Sequence, residues 1–376
     1  MFGSSRKTIG VIGLGIIGRA VSAHLRLKGF QVFVWNRTPR PVPNFVGSPA
    51  ELAELCDFLE IFVSDDKALL ETVERLSEKL RSRHVVIAHS TVAPDSMRAA
   101  AEIVERRGAR FVEAPFTGSK VAAEKGELVY YVGGSDEALR DARPVLEASG
   151  KQIIEIGVIG RATAIKIATN MVTAASVQAV AEALALVRAL GLPFDSFVEA
   201  MQGNASYSAT LAMKMPKMIE HDFGPHFSVK HMLKDMEIAN QLGLSHHLDL
   251  GVAAVARDQL LEQLQSGHGD EDYSAVARKY LPDIHSRTQE ETQTAMPDAQ
   301  GEAGSVAPAL ESTPSLAGLE EPGPTQENGD SRTGDVAVST SPNRELKEKA
   351  QLRRGFLSQL LRRGRRLLKQ PVSKEE

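Results

Sequence analysis

The sequence predicts an α/β chain: a doubly wound sheet at the N-terminus, an all-α half after it, and a disordered acidic segment ending in a short basic amphipathic helix. Three observations carry this expectation. Over residues 8–160, short Val/Ile-rich runs alternate with helical patterns, as parallel strands with crossover helices do. Beyond 160 no convincing strand follows, and at 376 residues the chain exceeds what one hydrophobic core usually serves.

The runs TIGVIG, QVFVWN, FLEIFVS, HVVIAHS, RFVEAP, LVYYVGG and QIIEIG are the predicted strands of a nucleotide-binding domain, residues 1–160. Residues 161–190 form one long Ala-rich apolar helix, followed by helices over 195–202, 208–219, 228–242 and 248–265. Together they make an all-helical domain, residues 161–280, the candidate for holding substrate and for self-association. From 281 to 342 the chain is Pro, Gly, Ser, Thr, Glu and Gln with few apolar residues, too little to repay the entropy of ordering. That linker carries eleven Asp or Glu against two Arg, whereas residues 344–369 of the final segment, 343–376, carry ten Lys or Arg against two Glu. On a helical wheel Leu346, Ala350, Leu357, Leu360, Leu361 and Leu368 share one face, with Arg354, Arg362, Arg365, Arg366 and Lys369 opposite. Such a helix can lie on an anionic membrane or dock into a partner's groove. Gly355 and Gly364 weaken it, and a solvated tail, or one folded onto its own acidic linker, is the alternative.

Hydrophobic residues at 42% and charged residues at 24% describe a globular chain with a sizeable core. Cys56 is the only cysteine, which excludes a disulfide framework or a cysteine-based zinc site and suits a reducing cytoplasm. It is expected to be a small buried filler. The pair His246-His247 is expected at a helix start with no partners at metal-ligand spacing, so no metal is predicted. A formal charge of -4 gives no general attraction to nucleic acid, and none is expected as a partner. The first residues do not follow a signal peptide's pattern, and no stretch is expected to reach the uncharged length of a membrane span. The protein is therefore expected in the cytoplasm, peripheral to a membrane only through its tail.

Gly13-Leu14-Gly15-Ile16-Ile17-Gly18 follows the first strand and opens a helix, the context in which the G-x-G-x-x-G pattern binds a dinucleotide. In this Rossmann arrangement Gly13 makes the tight turn, Gly15 lets the backbone approach the pyrophosphate, and Gly18 packs the helix on the strand. The phosphates then meet the positive end of the helix. The alternative is a strand-to-helix turn whose glycines serve only packing. At Asn36-Arg37-Thr38, where an acid would hold the ribose of NAD, there is none. Arg37 can pair with a 2′-phosphate, so NADP is expected ahead of NAD, a solvated arginine being the other reading. Ser64 and Asp65, at the carboxyl end of a strand, are expected along the cofactor's path, and Asp65 and Asp66 can cap the helix after it.

Lys166 and Asn170 lie one turn apart in an otherwise apolar helix. A surface helix would be polar across a whole face, so this isolated pair is expected to line a cavity, against the alternative of a solvated lysine. A partly desolvated ammonium there can hydrogen-bond a carbonyl oxygen and deliver a proton to the nascent alkoxide.

Gly13-x-Gly15-x-x-Gly18, Ser90-Thr91, Glu113-Ala114-Pro115-Phe116-Thr117-Gly118, the Lys166 to Asn170 helix and Lys234-Asp235 occur in an order that resembles the β-hydroxyacid dehydrogenases over about residues 7–280. The family includes 3-hydroxyisobutyrate dehydrogenase, tartronate semialdehyde reductase and glyoxylate/succinic semialdehyde reductase. The resemblance implies that Lys166 is catalytic and that Asn170 holds substrate. It further implies that Thr117 and Gly118 clamp the substrate carboxylate, that Thr91 lies between nicotinamide and substrate, and that Lys234 closes over the cofactor. Phe227 and Asp235 match pocket positions of the glyoxylate/succinic semialdehyde branch, which the stretch EAPFTGSKVAAE also resembles most. Ala162 replaces a usual glycine and Thr169 a frequent asparagine, so the fit around the substrate can differ. 6-Phosphogluconate dehydrogenases carry a histidine where Thr169 stands and a larger helical domain, and imine reductases usually replace the lysine.

The expected activity is reduction of a small aldehyde or keto acid by NADPH, in a homodimer or homotetramer built through the helical half. The competing reading is a nucleotide-binding sensor or scaffold, without turnover, recruited by its tail.

Overall fold

A computed structural model describes residues 7–281, which fall in one compact unit. The proposed linker from 282 onward and the basic amphipathic helix lie outside the described residues.

Strand β1 (Thr8–Ile12) leads through the glycine turn into helix α1 (Ile16–Leu27), then β2 (Gln31–Trp35), α2 (Pro49–Leu55), β3 (Phe58–Ile61), α3 (Asp66–Ser77), β4 (Val85–Ala88), α4 (Pro94–Glu105) and β5 (Arg110–Glu113). These strands are parallel in the order β2-β1-β3-β4-β5. β3 and β4 are buried at every position, as strands covered by helices on both faces must be. Ser48, followed by Pro49, caps α2; Asp65 caps α3 through the Ala68 N–H, as the sequence predicts.

The remainder of the sheet corrects the expectation of uniformly parallel strands. After β5 come the unpredicted two-residue β6 (Phe116–Thr117), the short α5 (Lys120–Lys125) and β7 (Leu128–Gly134). β7 runs antiparallel to both β5 and β6. The chain between β5 and β7 first lays down β6 and then turns back on it, so β7 pairs with β6 as a hairpin does. The six-residue α5, closed by left-handed Gly126, makes the turn between them. After α6 (Asp136–Ser149), β8 (Gly150–Gly157) resumes parallel pairing on the far side of β7.

The helical half opens with α7 (Arg161–Ala189) and continues as α8 (Phe194–Gln202), α9 (Ala209–Ile219), α10 (Val229–Ser245) and α11 (Gly251–Gln263), with a 3-10 turn over Tyr273–Lys279. Its core gathers Val177, Leu184, Met215, Met232, Leu260 and Val276. By length and composition α7 could cross a membrane, which corrects the expectation that no segment reaches that size. Here it serves as the central helix of this core, with Asn170 and Gln178 buried along it. His246-His247 also departs from expectation: the pair closes α10 instead of opening the next helix, because His246 is its C-cap and His247 turns left-handed. Cys56 is fully buried, and burial pushes its thiol up to about 12.

Candidate active site

The glycine turn is dictated by contact. Gly13 has φ +96°, and a side chain there would stand 2.0 Å from the Phe62 carbonyl oxygen. A Cβ at Gly18 would stand 2.0 Å from the Gly13 carbonyl oxygen. At Gly15 nothing lies within 4 Å of that position, so the space beside the α1 N-terminus is open, and α1 has no side-chain cap. Open backbone and a positive helix end fit a dinucleotide pyrophosphate. Leu14 N–H donates to Asn36 Oδ1 (2.9 Å) and Asn36 Nδ2 donates to the Thr38 carbonyl (2.8 Å), so Asn36 braces the turn and Arg37 is left exposed at the strand end. Ile16 and Ile17 begin α1.

Asp65 is committed to structure. It accepts from Ala68 N–H and from Ser64 Oγ (2.6 Å). Although burial by itself raises Asp65, those hydrogen bonds, with the charges of Lys234 and Arg37, hold it below the usual carboxylate range. Asp65 thus makes the cap that the sequence predicts.

The chemical groups meet at the junction of the two halves. Lys166 Nζ donates to Asn170 Oδ1 (2.9 Å), Asn170 Nδ2 to Asp235 Oδ2 (2.6 Å), and Lys234 Nζ to both Asp235 Oδ1 (2.7 Å) and the Thr91 carbonyl. One continuous relay therefore joins α7, α10 and the loop after β4. Burial, opposed by Asp235 and aided by Lys234, brings Lys166 down to about 8, while part of its surface stays open. An amine in that range can exchange a proton near neutral pH.

Asp235 is fully buried and spends both oxygens on Asn170 and Lys234. It orients the groups that can touch substrate. Phe227 packs its ring against His231 and Tyr273, forming a wall of the helical half. Thr117 and Gly118 are exposed, on β6 and the turn after it, and among the described residues no hydrogen bond ties them to Lys166. Gly118 takes φ +138°, and a Cβ there would strike Leu128.

Sequence reasoning assigns no role to Glu113. Its buried carboxylate accepts from Ala162 N–H (3.0 Å), Thr163 N–H (3.1 Å) and Thr163 Oγ1 (2.7 Å). Gly160, the residue before α7, offers no side chain, so an acid from β5 caps the lysine-bearing helix from a distance. Burial raises Glu113 even though all these hydrogen bonds lower it. Gly133 leaves the room: a Cβ there would lie 2.5 Å from the Glu113 carboxylate.

Residues 8–160 match the family described as the NAD binding domain of 6-phosphogluconate dehydrogenase, and residues 160–280 that of the NAD-binding domain of NADP-dependent 3-hydroxyisobutyrate dehydrogenase. The chain is 32% identical to glyoxylate/succinic semialdehyde reductase 1 of Arabidopsis thaliana over 278 residues, 71% of this chain and 96% of that protein. It is 29% identical to the cytokine-like nuclear factor N-PAC of Homo sapiens over 73% of its own length, but spans only 52% of that protein. Among solved structures, 3-hydroxyisobutyrate dehydrogenase of Mycobacterium tuberculosis with L-serine superposes with a TM-score of 0.66 at 27% identity, covering 73% of this chain and 99% of that one.

Proposed function

The chain belongs to the β-hydroxyacid dehydrogenase family and is an NAD(P)-dependent oxidoreductase acting on CH–OH groups, and on that premise we propose that it reduces a small aldehyde or keto acid, such as glyoxylate or succinic semialdehyde, with NADPH. The observation that carries this reading is the relay from Lys166 through Asn170 and Asp235 to Lys234 and Thr91. When bound, the nicotinamide supplies hydride to the carbonyl carbon. Lys166, as ammonium, hydrogen-bonds the carbonyl oxygen, stabilises its growing negative charge and gives it a proton, ending as the neutral amine. Asn170 fixes the lysine head and offers a contact to substrate. Thr117 and Gly118 receive the substrate carboxylate, and Phe227 bounds its chain. Lys234 spans from α10 to the Thr91 carbonyl and closes over the cofactor. NADPH consumption with glyoxylate and with succinic semialdehyde is the direct test. Turnover with neither, nor with a wider panel of aldehyde acids, while NADPH still binds, would sink this reading in favour of a sensor or scaffold using the oppositely charged C-terminal segments.

NADP ahead of NAD rests on Arg37, the exposed guanidinium beside the Asn36 brace. Arg37→Ser is expected to raise KM for NADPH by roughly 10- to 100-fold, the worth of a hydrogen bond to a charged group, and to leave KM for NADH within about twofold. Equal changes for both cofactors would contradict the assignment.

The α7 surface supports self-association. Ile165, Ala168, Val172, Ala179, Leu186 and Leu190 are exposed along it at helical spacing, Val172 by 68%. An apolar stripe of this length on the outer face of a core helix fits a second copy of the chain. Val172→Asp is expected to lower the mass measured by light scattering toward that of one chain; an unchanged mass would place the interface elsewhere.

A further inference from the structure

Glu60 sits in the middle of β3, on the sheet face shared with Phe58, Val85 and Ile87, and is fully buried. Neither carboxylate oxygen has a hydrogen-bond partner within normal reach. Nε2 of His89, also buried, stands 3.6 Å from Oε1. The other ring nitrogen, Nδ1, lies 2.9 Å from the Ala114 carbonyl oxygen, which can only accept, so Nδ1 carries a hydrogen. A neutral imidazole would then turn the bare lone pair of Nε2 toward an ionised carboxylate, two acceptors facing each other in an apolar setting. From β7, Tyr130 packs on the same ring, but its hydroxyl is engaged with Ser149 Oγ at 2.9 Å, and the other neighbouring rings are Phe62 and Phe116.

We propose that Glu60 and His89 share one proton between Oε1 and Nε2, and that this uncharged pair is a positioning device beneath the active site; its bearing on catalysis rests on the reductase reading above. Both placements of the proton balance: imidazolium against carboxylate, or carboxylic acid against neutral imidazole. Held this way, His89 reaches three parts of the site. It anchors the Ala114 carbonyl, three residues before Thr117. It stacks at 4.3 Å on Phe62, whose backbone oxygen shapes the Gly13 turn. It also precedes Ser90, which accepts from Val63 N–H, and Thr91, which receives Lys234.

Nitrogen and carbon NMR of full-length protein labelled in histidine rings and glutamate carboxyls reads the proton directly. Expected is a protonated Nε2 with Glu60 ionised, or a bare Nε2 with Glu60 protonated; a bare Nε2 beside an ionised Glu60 overturns the shared proton. The double variant Glu60→Leu/His89→Phe keeps volume and stacking while removing the pair and the bond to Ala114. Its Tm is expected to be equal or higher, because apolar replacements of buried pairs often are. Amide exchange at Phe116 and Thr117 should nevertheless quicken about tenfold, and KM for the aldehyde acid should rise by a similar factor with kcat within about twofold. Glu60→Gln, whose amide can donate to Nε2, should restore both values. Unchanged exchange in the folded double variant overturns the positioning role. Absence of turnover in the unaltered protein would instead remove the functional reading, while the NMR and exchange results still decide this one.

Discussion

Lys166→Ala is expected to lower kcat for carbonyl reduction on the order of 10³-fold, within the roughly 10²- to 10⁴-fold range that a positioned proton donor supplies. NADPH affinity should stay within about twofold, since the glycine turn and Arg37 lie elsewhere. Steady-state kinetics and fluorescence titration of the variant give both values, and a kcat within tenfold of the parent enzyme would end the proposal. The pH profile supplies an independent reading. Reduction needs the ammonium, so kcat/KM should be level at low pH and fall as pH rises through about 8, the value to which burial brings Lys166. Oxidation of the hydroxy acid needs the free amine and should climb through the same range. The sign for stability follows from the same lowering. Keeping the ammonium in the fold has a cost that is fully present below about 8 and fades as pH approaches the ordinary lysine value of 10.5. Lys166→Met should therefore be at least as stable as the parent at pH 7 while inactive, the pattern of a group retained for chemistry.

Asp272→Ala is expected to cost about 3 to 5 kcal/mol, the penalty for leaving one member of a buried pair uncompensated. Asp272 is fully buried and accepts from Lys214 Nζ at 2.7 and 2.8 Å, from His226 N–H, and from Ser274 N–H and Oγ. Lys214 also stands over the Tyr273 ring at 4.4 Å. Burial lowers Lys214, with Asp272 opposing that shift. Burial by itself raises Asp272, yet Lys214 and the hydrogen bonds hold it below the usual carboxylate range. This contribution is thus in place above the ordinary carboxylate range and is lost as pH falls through the lowered value. Thermal unfolding at pH 7 should show a drop of roughly 10 °C in Tm; a loss below about 1 kcal/mol would show that the network is dispensable.

Much of the site is legible in the order of the residues alone. Glycines at 13, 15 and 18 after an apolar strand state a backbone requirement, and the two 2.0 Å approaches show why no other residue serves at the first and last. An isolated Lys and Asn one turn apart in an apolar helix mark a junction because burial and polarity conflict locally. The reversal at β7 is less legible: strand patterns report burial and carry no mark of direction, and the two-residue β6 that β7 folds back on is too short to show a pattern. The bonds made by Glu113 and Asp235 are hidden because their partners lie 49 and 65 residues away, and spacing along a chain carries no trace of such pairs. Glu60 does leave a signal, an acid inside the apolar run FLEIF, although nothing there points to His89.

The acid that begins α7 has a consequence for how this enzyme can change. The Lys166 amine belongs to one half of the molecule, but the three bonds that start its helix are made by a carboxylate from the other. Neither half is an interchangeable module: a helical half grafted onto another sheet would inherit the lysine without the clasp that sets its depth. Drift in the strand bearing Glu113 is therefore felt at Lys166, about one helical turn beyond Thr163, and the two halves must vary in concert.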